Sequence, residues 1–263
     1  MRARVLGMGL WMPGFPDAQS WLSGRGVAGV DTPNAQSKQR RRSSLLVNMV
    51  ADVAAQASAD AGVPVSRLRV VVGSAFGELT TLVAMLEERE RDGLLSPLRF
   101  QNSVHNSAAG QLSIANKNKA PAMSLAAGND TVAMVLLEAM TLLALGGDEV
   151  LAIVADESLP HSIHPGHLSP AISAALVLAA EGESAPGASP ALAVLEDLRQ
   201  TPSPAAVERP QEVDGPCLAV LPLIAALGQG HNGQVNVSPG EDPRWSIVVR
   251  DARMVRGADG ARA

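Results

Sequence analysis

Residues 121–156 read PAMSLAAGNDTVAMVLLEAMTLLALGGDEVLAIVAD, and their order decides the fold. Pro121 to Leu125 is a short apolar run that predicts a buried strand. It meets the small-residue turn Ala126-Ala127-Gly128-Asn129-Asp130. Thr131 to Leu145 then carries apolar residues at helical spacing until Gly146-Gly147 stops it. Glu149 to Ala155 is the next strand. A strand that turns straight into a helix places one side chain at the helix N-terminus. There the dipole and free backbone N–H groups favour an anion or a developing oxyanion. Enzymes use that place for a Ser or Cys nucleophile of lowered pKa. The residues available here are Asn129, Asp130 and Thr131, none of them an acyl nucleophile by default. Asn129 or Asp130 also suits the simpler role of helix N-cap. From these residues alone both readings stand.

The same alternation extends outward. Ala3 to Leu10 predicts a strand running into a Gly/Pro loop at Met12–Asp17. Arg41 to Ala61 predicts a helix, with Leu45, Leu46, Met49, Val50, Val53, Ala54 and Ala57 on one face and Gly62 and Pro64 as the stop. Leu68 to Val72 is a β-branched run that ends in the turn Gly73-Ser74-Ala75-Phe76-Gly77. Helices are expected over Glu78–Arg91 and Asn102–Ile114, and a strand over Ser173–Ala180. The pattern predicts an α/β protein with a largely buried sheet. Composition then shifts. Gly182 to Pro190 and Thr201 to Pro216 read as Pro/Gly/Ala-rich linkers. Around them come a strand (Leu192–Leu198), a helix (Cys217–Leu227) and two short strands (Gln234–Val237 and Trp245–Val249). Residues from Gly257 onward read as a frayed tail.

Composition bounds the function. Among 263 residues, 46% are hydrophobic and only 2% aromatic, with no Tyr, so the core is built from Ala, Val, Leu, Ile and Met. A net charge of -5 argues against a nucleic-acid binder. The one basic run, Lys38 to Arg42, reads as a solvated helix start or as a contact for phosphate or an acidic partner. Cys217 is the single cysteine, so no disulfide forms within the chain, which fits a cytoplasmic protein. Met1 to Leu10 faintly imitates a signal peptide, but Gly7, Gly9 and Pro13 interrupt it. No run approaches the ~20 apolar residues of a membrane span. His161, His164 and His167 have a suggestive spacing. Pro160, Pro165 and Gly166 break any helix that would align them, so no metal site is expected, and no cofactor.

Several segments resemble β-ketoacyl synthases. Ser124 to Asp130, Leu136-Leu137-Glu138-Ala139 and Gly146-Gly147-Asp148-Glu149-Val150 resemble that family's nucleophile strand, elbow and following helix. Val5 to Leu10 with Pro13-Gly14 resembles its opening strand, and Val71 to Gly77 its second strand and turn. Ser169-Pro170-Ala171 to Leu178 resembles the strand that closes its first half. Ser96-Pro97 and Phe100-Gln101-Asn102-Ser103-Val104-His105-Asn106-Ser107-Ala108-Ala109-Gly110 are similar to the ketosynthase-like N-terminal domain of chain-length-factor proteins in aryl polyene pathways.

This resemblance implies a thiolase-like layered α/β fold, its first half complete and its second half truncated. It divides the chain into a ketosynthase-like domain (1–181), a truncated C-terminal part (182–256) and a disordered tail (257–263). Counting back from Gly147-Asp148 puts the family's Cys slot at Asn129, or at Gly128 or Asp130 with a slip of one. Cys217 lies far along the chain from the elbow and does not match the nucleophile motif; it reads as a small buried residue. His231 matches neither of the family's His motifs and reads as a surface loop residue.

The resemblance therefore implies no catalytic residue. It implies a non-catalytic subunit that pairs with an active β-ketoacyl synthase as a heterodimer, or with itself as a homodimer. Such a subunit shapes the acyl tunnel while chains of polyketide or fatty-acid type grow on an acyl carrier protein. Asn102, His105, Asn106, Asn129 and Asp130 are the tunnel or interface candidates. Two other roles remain open: an accessory decarboxylase of malonyl thioesters using Asn129, and a module that only binds acyl carrier protein.

Overall fold

The structure, a computed structural model, describes residues 1–34, 43–163, 165, 169–182, 189–200, 215–239 and 244–252. In chain order its elements are β1 (Arg2–Trp11), α1 (Ala18–Leu22), α2 (Leu45–Ala61), β2 (Arg69–Gly73), α3 (Leu79–Asp92), α4 (Pro97–Asn102), α5 (Ser107–Ala115), β3 (Ala122–Leu125), α6 (Thr131–Ala144), β4 (Glu149–Asp156), β5 (Ile172–Ala179), β6 (Ala193–Gln200), α7 (Leu221–Gln229), β7 (Gly233–Asn236) and β8 (Trp245–Asp251). The strands form one mixed sheet in the order β3-β2-β4-β5-β1-β6-β8-β7. Only β3-β2-β4 is parallel, and helical crossovers make those connections. Every other pairing is antiparallel.

The strand period of two sorts the sheet residues onto two faces. Val150, Ala152 and Val154 of β4 pack with α6, while Leu151, Ile153 and Ala155 pack with α2. Both β4 and β5 are buried along their whole length. The apolar stripe of α2 lies on β1, where Met49, Val50, Val53, Ala54 and Ala57 are fully buried. Each buried large apolar side chain there contributes roughly 1.5–3 kcal/mol. Gly7 and Gly9 permit this approach: a Cβ would come 2.5 Å from the Ala57 carbonyl oxygen and 2.6 Å from that of Val53.

The helix expected over Asn102–Ile114 begins only at Ser107, and a separate short helix, α4, precedes it and ends at Asn102. Ser96 caps that short helix, accepting from the Arg99 N–H, with Pro97 in its first turn. Ser103 ends it by bonding back to the Phe100 carbonyl. Asn102 therefore closes one helix, and His105 and Asn106 sit in the turn before the next. The helix expected over Cys217–Leu227 is a 3-10 turn at Pro216–Val220 followed by α7. The helix expected from Arg41 begins at Leu45, capped by Ser44. The strands after residue 190 do not form a sheet of their own. β6 pairs with β1 from Arg2–Glu196 to Val5–Ala193, and β8 and β7 continue the sheet from there.

The basic run Lys38–Arg42, His164, His167, most of the two Pro-rich linkers and the tail from Gly257 lie outside the described residues. His161 is exposed in a turn. Among the described residues, no group of three or more His, Cys, Asp or Glu is arranged for a metal ion. None of the described helices is long and apolar enough to cross a membrane.

Candidate functional site

Gly73 of β2 stands level with Leu125 of β3 and Val154 of β4. The turn at 74–77, the elbow at 126–130 and residues 155–157 therefore meet at the carboxyl ends of three parallel strands. That is where open α/β sheets place their sites.

The elbow has the expected course. Gly128 takes φ +54°, and Gly128–Asp130 form a single 3-10 turn before α6. Thr131, fully buried, holds it closed. Its hydroxyl donates to the Gly128 carbonyl at 2.7 Å and accepts from the Ala127 N–H at 3.2 Å. The Thr131 hydroxyl thus staples the turn and caps no N–H of α6. Asp130 occupies the cap position, but its side chain makes no capping bond. Its Oδ2 instead lies 3.6 Å from Arg244 Nη1, which reaches over from the start of β8. Asn129 is half-buried in the turn. Gly73 admits the start of α6, since a Cβ there would run into the side chain of Val135.

Beside the elbow is a buried acid that the sequence pattern does not single out. Asp156 Oδ1 accepts from Ser74 Oγ at 2.8 Å, the Ala75 N–H at 2.9 Å and the Phe76 N–H at 3.3 Å. Oδ2 has no nitrogen or oxygen donor, and the Cys217 thiol faces this carboxyl group. Burial raises the pKa of Asp156 against the pull of those hydrogen bonds. Cys217, far from the elbow in sequence, is near it in space. Its 3-10 turn packs against the Gly128–Asp130 turn, α6 and β4. Burial first, and then the Asp156 charge, pushes its thiol well above the usual range. A thiol held protonated is a poor nucleophile.

A second acidic pair lies on the α2 side. Glu78 Oε1 accepts from Ser44 Oγ at 2.7 Å, and Oε2 from Thr81 Oγ1 at 3.0 Å. Glu157 Oε1 accepts from the Leu46 N–H at 2.7 Å. Burial, assisted by the neighbouring Glu157 charge, raises Glu78 from the ordinary 4.5 to about 7. Burial also raises Glu157. Each of these acids directly follows or flanks an apolar strand or turn, a pattern that surface acids share, so nothing in the sequence marked them.

The candidate residues divide into two groups at this end of the sheet. His105 Nε2 lies 3.1 Å from the Ser74 carbonyl oxygen, and its ring rests against Gly77. Asn102 is buried and accepts from Gln111 Nε2 at 2.9 Å, while Gln111 Oε1 accepts from Ser43. Asn106 begins α5 exposed, with no side-chain cap bond. Asn129 and Asp130 belong to the elbow. His231 is exposed in the turn after α7, away from both groups.

Two surface clefts are located elsewhere. One of about 240 Å³, lined by Arg67, Arg69, Ala120, Asp148 and Glu149, lies at the opposite end of β2 and β4. The other, of about 440 Å³, is formed by α1 and the loop after it. More telling is the sheet edge. The outer side of β3 pairs with no strand among the described residues. Met123 on β3 is 40% exposed and Ile114 on α5, which packs against β3, 72%; Leu94 is 76% exposed, and Leu86, Leu95 and Phe100 are also open to solvent.

The chain is similar to proteins of known family. A family model described as "Beta-ketoacyl synthase, N-terminal domain" matches residues 18–239. Among solved structures, the chain is similar to one from the ketosynthase ApeO in complex with its chain length factor ApeC from Xenorhabdus doucetiae. The identity is 18% and the TM-score 0.70, over 95% of this chain and 99% of that one. It is also similar to the ishigamide ketosynthase/chain length factor (17% identity, TM-score 0.58, 76% of this chain and 68% of that one). A third is a type II PKS acyl-carrier protein in complex with its ketosynthase bound to the hexaketide (16%, 0.66, 77% and 69%). At these identities the likeness establishes the fold, which is the expected thiolase-like layered α/β architecture. No curated protein sequence matches the chain.

Proposed function

The chain belongs to the β-ketoacyl synthase N-terminal domain family, and from that premise we propose that it is a non-catalytic partner subunit of the chain-length-factor kind. One observation carries this reading: the elbow is folded and stapled but holds no cysteine, and by the resemblance Asn129, or Asp130 beside it, stands at the family's thiol position. The only cysteine is buried against Asp156 with its thiol held protonated. A fold kept without its nucleophile fits a subunit that serves another protein's chemistry.

The partner in this reading is an active ketosynthase. The unpaired edge of β3 and the exposed apolar residues of α3, α4 and α5 are the surface for it. An unpaired edge is a template for strand addition, and large apolar side chains open to solvent suit a partner surface. Asn102, His105 and Asn106 belong to this interface or to the acyl tunnel behind it, with chains delivered by an acyl carrier protein. The test is co-expression with a ketosynthase. Co-purification, with the chain alone insoluble or poorly behaved, is the expected result. A tight, soluble monomer by size exclusion and light scattering counts against it.

A second reading has support from the amide of Asn129 at the start of α6. A donor there suits the carbonyl of a malonyl thioester as negative charge develops on decarboxylation. Asn129→Ala, assayed for CO₂ release with malonyl-carrier protein and the partner present, then loses activity. An unchanged rate removes this reading.

A further inference from the structure

β1 and β5 run antiparallel, and their register sets Trp11 directly opposite Ser173. Both side chains face α2. Gly7 and Gly9 of β1 lie under that helix, and Trp11 follows them at the strand period of two. Ala171 and Ala175, two residues either side of Ser173, belong to the same α2-side core as Trp11. The pair is sealed from solvent: Trp11 is 1% exposed and Ser173 0%. Yet Trp11 Nε1 and Ser173 Oγ each lack a hydrogen-bond partner among the described residues. Nearly every buried polar atom of a folded protein is bonded, either within the protein or to ordered water. Two bare groups set opposite each other on neighbouring strands point to one shared partner.

We propose that Trp11 Nε1 and Ser173 Oγ form an internal water site between β1, β5 and α2, with one water bound by both groups. The chemistry is complementary. An indole N–H only donates, whereas a hydroxyl both donates and accepts. The water accepts from the indole and makes its second bond with the hydroxyl. Side chains directly opposite on antiparallel strands start about 4.5–5.5 Å apart at Cβ, a span that a single bridging molecule closes. A buried water makes roughly 2–4 hydrogen bonds, so these two groups meet the minimum. The neighbours on this face are small and apolar, with Ala155 beside Ser173 on β4 and Ala171 and Ala175 along β5. An apolar wall alone stays dry, so the two polar atoms are what hold the water.

The place in the fold gives the site a role. Trp11–Ser173 is the last pair of the β1–β5 ladder, just before β1 turns into the Met12–Phe15 bridge. A bound water there ties the two strands together where their backbone pairing ends. In register the pair stands level with Ala155, one residue beyond Val154 and therefore beyond Gly73 and Leu125. The site thus lies at the elbow end of the sheet, on the face opposite α6. It stands whether or not the chain pairs with a ketosynthase. Ser173→Ala removes the hydroxyl and leaves the water with the indole alone.

The experiment is a crystal structure of the full chain or its complex, at a resolution that shows ordered water. A water within hydrogen-bond distance of both Trp11 Nε1 and Ser173 Oγ is expected. In Ser173→Ala its occupancy is expected to fall about twofold or more, because one of its bonds is gone. The wild type also gives a test in solution that needs no variant to fold well. Water-selective rotating-frame Overhauser spectra, edited on the indole N–H groups of the three tryptophans, are expected to show a long-lived water at Trp11. Three results overturn the proposal: a direct bond from Trp11 Nε1 to Ser173 or to any other protein group, clear density with no water between the two atoms, or no long-lived water at the Trp11 indole. Unchanged occupancy in Ser173→Ala overturns it as well, since the hydroxyl then does not hold the water.

Discussion

The elbow at 126–131 and the acidic junction at 73–78 and 156–157 lie at the same end of the same strands, but they are held in different ways. The elbow closes on itself. Its two decisive bonds join Thr131 to Gly128 and Ala127, three and four residues away. The junction is closed by residues far apart in the chain: Ser74 with Asp156, Ser44 with Glu78, Leu46 with Glu157. The elbow buries little charge, whereas the junction buries three carboxyl groups. A locally encoded turn survives exchange of its functional side chain, because the backbone bonds do not involve that side chain. A junction of long-range bonds to buried acids lacks that independence.

The largest test of the difference is Asp156→Ala. It strips three donors of their acceptor, and each buried donor left unsatisfied costs about 1–3 kcal/mol. A loss on the order of 3 kcal/mol is expected in urea unfolding, against about 1 kcal/mol for Asp156→Asn, which keeps an acceptor. Equal effects from the two variants would break the comparison. Thr131→Val keeps the shape of the elbow staple and removes its hydroxyl. About 1–2 kcal/mol is expected, with hydrogen exchange rising only around residues 126–131. A rise spreading to 74–77 would mean that the elbow is not self-contained.

Asn129→Cys sharpens the same point by chemistry rather than stability. A change below roughly 0.5 kcal/mol is expected for a half-buried turn residue. Thiol labelling in the native state should modify Cys at 129 quickly and leave Cys217 unmodified until the chain unfolds. Rapid native labelling of Cys217 would contradict its burial. The smallest effect is expected from Asp130→Asn. Its partner Arg244 is partly exposed, and such pairs contribute about 0–1 kcal/mol. A midpoint shift barely above error, shrinking further in salt, is the expected outcome.

The contrast also explains what was legible before the fold was known. The stripe of α2, the runs of β2, β4 and β5, and the strand–turn–helix of the elbow all follow from periodicity and small residues within short windows. That the turn from Ala126 to Thr131 holds no cysteine is equally plain. The turn between α4 and α5 is hard to read because Ser103-Val104-His105-Asn106 carries neither Gly nor Pro, so nothing marks where α5 begins. The expected N-cap bond is not made by Asp130, which occupies the cap position, and the residue that closes the turn is Thr131, whose hydroxyl bonds backward to Gly128 and Ala127.

By itself, then, the sequence determined the elbow, the family it resembles and the absence of a cysteine from the elbow. Local spacing and residue chemistry are sufficient for each of these. Only the tertiary structure placed Cys217 and Arg244 beside the elbow, joined Glu78 and Glu157 at one helix terminus, and left the outer edge of β3 unpaired among the described residues. The reason is physical. Burial, desolvation and pairing are properties of neighbours in space, and these neighbours are separated by tens of residues along the chain.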